Sequence, residues 1–116
     1  IINIGSGLVA QLGQVNHNAA KLGLVGFSRA LAREVGPKGI RVMHVAPGFF
    51  KTEMSETLNK SLIDATYQLT PLERWGAPPE LAALVGFLAS DDARCFSGQT
   101  IAIDGGRGAV EAEYGL

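Results

Sequence analysis

Two short, apolar, β-branched runs separated by one long helical pattern constrain this chain more than any other feature. Ile1-Ile2-Asn3-Ile4 is closed by Gly5 and Gly7, the form of a buried strand that ends in a loop. Ile40-Arg41-Val42-Met43-His44-Val45-Ala46 is closed by Pro47-Gly48, because proline cannot extend a central ladder. Between them, from His17 to Val35, the apolar residues Leu22, Leu24, Val25, Phe27, Ala30, Leu31 and Val35 recur at helical spacing until Gly36-Pro37 stops the pattern. Strands joined by a helix-containing crossover pair in parallel. With a third run at Gln99-Thr100-Ile101-Ala102-Ile103-Asp104, broken by Gly105-Gly106, the pattern predicts an α/β domain whose parallel sheet is covered on both faces. Gly23 and Gly26 predict that another backbone packs closely on the long helix.

The remaining segments predict a helix from Thr52 to about Thr66, with Thr52 or Ser55 near its start, then a proline-punctuated loop from Pro71 to Pro79 holding Trp75. Pro78-Pro79-Glu80 opens a compact helix with Leu81, Leu84, Val85, Phe87 and Leu88 as its apolar positions, ended by Ser90-Asp91-Asp92. Residues 1–106 form the expected domain and 107–116 a tail without periodicity. Three strands make a narrow sheet that needs neighbours. Because the chain opens on Ile1 without methionine, further strands are expected upstream.

Charge and cysteine content exclude several functions. Ten Lys plus Arg against eleven Asp plus Glu leave a net charge of -1, so no broad basic field exists for nucleic acid or an anionic membrane surface. Cys95, the single cysteine, cannot close an intrachain disulfide, and no metal-ligand spacing surrounds it. Lys21, Arg29, Arg33, Arg41 and Lys51 interrupt every apolar run well short of the roughly 20 residues that span a bilayer. The expectation is a soluble protein of the cytoplasm, or of an organelle matrix if a targeting segment lies upstream.

Two readings compete for the first loop. Gly5-Ser6-Gly7-Leu8-Val9-Ala10 fits G-x-G-x-x-A after a strand, the pattern that seats a dinucleotide pyrophosphate on a helix N-terminus. Gly13-Gln14 interrupts a helix directly after it, and no acidic residue closes the next strand. The alternative begins with Ser6 at the carboxyl end of the strand, the side on which open α/β sheets bind ligands. His17 and Lys21, four apart, share one helix face, so a hydroxyl, a titratable ring and an ammonium could converge for carbonyl chemistry. They could equally be a loop serine and two residues of a solvated first turn.

Beyond such local patterns, the chain resembles the C-terminal half of short-chain dehydrogenase/reductases, most of all the 3-oxoacyl-[acyl-carrier-protein] reductases. The resemblance is carried by Ile2-Asn3-Ile4-Gly5-Ser6, by Asn18-Ala19-Ala20-Lys21 through Glu34, by Ile40-Arg41-Val42 and by Val45-Ala46-Pro47-Gly48 through Met54. Phe87-Leu88-Ala89-Ser90-Asp91-Asp92-Ala93 and Ser97-Gly98-Gln99-Thr100 through Gly106 complete it. It implies a Rossmann-like doubly wound parallel sheet of which only the C-terminal half is present. It also implies hydride transfer between NADP, or NAD, and a small-molecule or acyl-thioester carbonyl. By position, Ser6 would polarise the substrate oxygen, and Lys21 would bind the nicotinamide ribose and lower the pKa of the proton donor. Pro47, Gly48 and Phe50 would meet the nicotinamide carboxamide, with Thr52 beside the cofactor; a strand ended at the crevice would leave backbone donors and the Thr52 hydroxyl facing a ligand. A homo-oligomer, dimer or tetramer, is implied as well.

Two departures from the family pattern carry chemical weight. His17 stands where the family has its catalytic tyrosine, and the loop before it is a couple of residues short. Imidazole exchanges protons near neutral pH, although a nearby Lys21 ammonium favours the neutral ring. Met43-His44 replaces the usual asparagine and small apolar residue, and His44 reads as a satisfied buried side chain. Alternatives to the 3-oxoacyl reductase reading are a dienoyl- or enoyl-CoA reductase of the same family, and a catalytically degenerate relative that keeps the fold.

Overall fold

The apolar runs pair as their separation requires. In a computed structural model, which describes residues 1–7 and 14–109, β1 (Ile2–Ile4), β2 (Met43–Pro47) and β3 (Thr100–Ile103) form one parallel sheet in that order. Ile2 lies opposite Met43, Asn3 opposite His44, and His44 in turn opposite Thr100. β2 begins at Met43 and not at Ile40, because the amide and carbonyl of Val42 are taken by Ser97 Oγ at 3.2 Å and by the Gly98 N–H at 2.7 Å.

α1 (Val15–Val35) starts two residues before the predicted His17, after Gln14 in a left-handed conformation. A Cβ built on Gly23 or Gly26 would meet nothing within 4 Å, so the expected close backbone packing there does not occur among the described residues. The single helix expected from Thr52 to Thr66 is two, α2 (Glu53–Glu56) and α3 (Lys60–Gln68). Asn59 separates them: its Oδ1 accepts the Leu62 N–H and the Ser61 hydroxyl, both at 2.8 Å, and so caps a new helix. α4 (Pro78–Ala89) opens where expected. Glu80 reaches back to accept the Ala77 N–H at 2.7 Å and pairs with Arg74 through two bonds of 2.6 and 2.9 Å. The Arg74 hydrogen bonds, reinforced by that of Ala77, hold the Glu80 carboxyl down at about 2.

Alternation along the strands sends Ile2, Met43, Val45, Ile101 and Ile103 to one face, where α4 lays Leu81, Leu84 and Leu88 over them. Met43, Val45, Leu88 and Ala93 are buried at the centre of this dry core. The opposite face is polar in its middle row. Asn3 Nδ2 donates to Ser28 Oγ of α1 at 2.9 Å, and His44 Nδ1 lies 3.2 Å from Thr100 Oγ1. The sheet thus carries helices on both sides, the doubly wound arrangement.

Leu88, with no exposed surface, is the largest apolar contribution of α4 to the core. Leu88→Ala is expected to lower unfolding stability by about 2–5 kcal/mol. Denaturant titration would read this as a lower midpoint with an unchanged slope; a loss of only a few tenths would mean that α4 does not anchor the sheet.

Candidate active site

The site begins with a ladder that continues past the end of its strand. β1 ends at Ile4, yet the Gly5 N–H donates to Val45 O and the Gly7 N–H to Pro47 O, each at 2.8 Å. Ser6 lies between these two bonds, so its backbone is fixed at the carboxyl end of the sheet. Lys21, on the second turn of α1, brings its ammonium to the same end: Nζ donates to Ile4 O at 3.3 Å. His17 lies one turn earlier, half-buried like Lys21. The structure therefore brings Ser6 and Lys21 to one end of β1 and places His17 on the α1 turn that leads to Lys21.

The phosphate-loop reading of Gly5 to Ala10 falls on Leu8, Val9 and Ala10, which lie outside the described residues; the first described helix, α1, begins at Val15.

The second wall follows β2. Gly48 N donates to Ile103 O at 3.0 Å, and a Cβ at Gly48 would come within 2.8 Å of both Cα and Cβ of Asp104, so only glycine lets the two strand ends approach this closely. Phe50 then forms a parallel bridge with Gly76, through Gly76 N to Phe49 O and Lys51 N to Gly76 O, both 2.9 Å. This bridge does not use the Phe50 N–H. The expected row of open donors after Pro47 is accordingly reduced, since the Gly48 and Lys51 amides are committed elsewhere. Thr52 stands at a helix start, as expected: its Oγ1 accepts the Ser55 N–H at 3.3 Å while its own N–H donates to Ser55 Oγ at 2.7 Å, a reciprocal cap that starts α2.

Residues the sequence did not single out hold this wall in place. Trp75 is buried, donates its indole N–H to Thr66 Oγ1 at 2.9 Å, stacks on Phe49 at 5.4 Å and meets the edge of Tyr67 at 5.6 Å. The Arg107 guanidinium lies 5.4 Å over the other aromatic partner, Phe49. A lone tryptophan in a proline-rich loop was the available signal; its partners, spread from Phe49 to Arg107, have no common spacing.

His44 was expected to be a satisfied core residue. It is buried, with Nδ1 beside Thr100, but among the described residues Nε2 has no hydrogen-bond partner. Burial foremost, and then the Lys21 charge, lower its pKa.

With this geometry in place, comparison with known proteins is informative. A family model described as Enoyl-(Acyl carrier protein) reductase matches residues 1–107. The chain belongs to the short-chain dehydrogenase/reductase family. Among curated proteins it is similar to the 3-oxoacyl-[acyl-carrier-protein] reductases of Chlamydia trachomatis, 48% identical over 108 residues, and of Pseudomonas aeruginosa, 50% identical over 108 residues. Each alignment covers 91% of this chain and 44% of the relative, so the chain spans less than half the length of the curated relatives it matches. Among solved structures it superposes with a TM-score of 0.89 on a 4-hydroxyisoleucine dehydrogenase complexed with NADH, 35% identical, covering 94% of this chain and 46% of that one. A Serratia marcescens short-chain dehydrogenase/reductase variant gives 0.86 at 36% identity, covering 93% and 45%.

Gly48→Ala should separate the two strand ends. The expected result is a lower melting temperature together with faster amide exchange at Gly48, the donor to Ile103; a variant as stable as the parent with unchanged exchange would show that the approach to Asp104 is not tight.

Proposed function

We propose that this chain forms the nicotinamide side of an NAD(P)-dependent reductase site acting on a carbonyl, most like that of 3-oxoacyl thioester reductases. The observation that carries the proposal is the meeting of Ser6 and Lys21 at the carboxyl end of β1, on the residues that match the family pattern. Residues 1–106 are the domain that builds it, with 107–116 as a tail.

The donor set fits the nicotinamide nucleotide. Lys21 uses one of its three N–H donors, at a long 3.3 Å, and the others can bind ribose hydroxyls. The Phe50 N–H, which the bridge to Gly76 leaves out, follows Pro47 and Gly48 on the segment assigned to the carboxamide, and Thr52 begins the helix beside it. When bound, the reduced nicotinamide supplies the hydride. Ser6 donates its hydroxyl hydrogen to the substrate carbonyl oxygen, stabilising the charge that develops there. His17 delivers the proton in place of the family's tyrosine, from the α1 turn that leads to Lys21. NADPH is the expected coenzyme, with NADH the alternative. The half-exposed Leu22 and Phe27 of α1 (56% and 54%) support assembly into a homodimer or tetramer.

A second reading, reduction of an enoyl thioester, is favoured by the replacement of tyrosine by His17. The natural protein assayed with NADPH against a 3-oxoacyl thioester and a 2-enoyl thioester separates the two; faster turnover of the 3-oxoacyl substrate is expected. Ser6→Ala and Lys21→Ala are each expected to lower kcat/KM by about 100-fold or more. His17→Tyr should reduce an existing activity, whereas a gain from none would assign the chain to the degenerate, non-catalytic branch. Unchanged kcat/KM in both Ser6→Ala and Lys21→Ala would overturn the site.

A further inference from the structure

The family pattern gives His44 no role, yet the structure wedges it beneath the residues on which the proposed chemistry depends. His44, the second residue of β2, is 2% exposed. A Cβ built on Gly5 would stand 2.0 Å from His44 Nε2 and 2.7 Å from Cε1, so the ring edge occupies the room a Gly5 side chain would need. Gly5 immediately precedes Ser6. Lys21 holds the carbonyl of Ile4, the residue before Gly5. Three consecutive residues are thus set by three contacts: Ile4 by the ammonium, Gly5 by the imidazole, and Ser6 by the ladder bonds on either side of it.

The proton on the ring has one favourable location. A hydrogen on Nε2 would be driven against Gly5, where among the described residues no acceptor lies within reach. A hydrogen on Nδ1 can be given to Thr100 Oγ1, leaving the Nε2 lone pair against the Gly5 Cα–H. The Lys21 charge opposes a second proton on the ring. The ionisable neighbour from α1 is Lys21; β1 presents Asn3 and Gly5, and β3 presents Thr100, all neutral. Among the described residues, no carboxylate contributes to the shift of this ring.

We propose that His44 is a positioning residue for Ser6: its neutral ring seats the Ile4–Ser6 segment at working depth, and a second proton on Nε2 lifts Gly5 and repels Lys21, so the site disassembles in acid. This rests on the roles given above to Ser6 and Lys21. It also gives a physical reason for pairing a histidine at this position with glycine at Gly5, since any larger residue there would collide with the ring.

The test uses the natural protein, isotope-labelled for NMR, across about pH 5 to 8, the range over which histidine titrates. The Gly5 and Ser6 amide resonances should shift with the midpoint of the His44 ring protons, which lies below the usual histidine value. In NADPH-dependent turnover kcat should fall about tenfold per pH unit below that midpoint, as for one proton, with KM nearly constant. His44→Val and His44→Gln should each lose this ionisation from both the amide shifts and kcat. His44→Gln, which keeps a polar side chain toward Thr100, should retain more kcat at neutral pH than His44→Val, and it serves alone should the valine variant fail to fold. Amide shifts at Gly5 and Ser6 that ignore the His44 titration, or an acid limb of kcat that survives unchanged in the variants, would overturn the proposal. If the amides follow His44 while no variant and no pH gives turnover, the positioning role stands and the reductase reading fails.

Discussion

The hydrogen bonds from Gly5 to Val45 and from Gly7 to Pro47 extend the β1–β2 ladder beyond the last paired side chains, and most of the site's geometry follows from that extension. A serine in an ordinary loop would sample many backbone states, and fixing one residue costs about 1–2 kcal/mol of conformational entropy. Here the central strand meets that cost, because β2 is fixed independently by β3 on its other side and by the core beneath Leu88. The position of Ser6 is therefore inherited from the sheet. The same holds for Lys21, whose helix is tied to β1 by the Asn3–Ser28 bond.

The two faces of the sheet divide this work. One face is filled by Met43, Val45 and Leu88 and supplies burial, which has no direction. The other carries Asn3, His44 and Thr100 in register, and the Asn3–Ser28 hydrogen bond there fixes α1 in rotation as well as in depth. A helix held only by apolar contacts could slide by part of a turn at little cost. Such a slide would carry the Lys21 ammonium away from Ile4, so polar pairing on this face has a consequence for the site that burial alone could not provide.

Sequence reading recovered what depends on local rules. The strand–helix–strand order, the stop at Pro47-Gly48 and the opening of α4 at Pro78 all follow from periodicity, breakers and parallel topology. The misses have a common cause in contacts between distant residues. Asn59 split a predicted helix because its side chain caps a new one, a competition that hydrophobic spacing does not register. β2 was read as starting at Ile40 because Val42 is apolar, while the structure gives its backbone bonds to Ser97 and Gly98, more than fifty residues away. Gly23 and Gly26 suggest packing positions by composition, yet among the described residues nothing lies within 4 Å of a Cβ built there. His44 was judged satisfied from its setting in a strand; only the placement of Gly5 against its ring shows that one nitrogen is left over.

The wall after β2 illustrates how such long-range contacts add up. Phe49 is stacked by Trp75, Trp75 is held by Thr66 on α3, and the strand-like bridge of Phe50 to Gly76 joins the same loop to the end of β2. Glu80 connects that loop to α4, since its carboxylate binds both the Arg74 side chain and the Ala77 amide. The helices that flank the crevice are thereby joined through one proline-rich segment, so movement of α2 and α3 relative to the sheet must disturb either the Trp75 stack or the Phe50 bridge. The Ser6 side of the crevice has no such freedom, being part of the ladder itself. The Ser6 side is thus fixed by backbone hydrogen bonds and the Phe49 side by aromatic packing, so any rearrangement of this end of the sheet falls to the second.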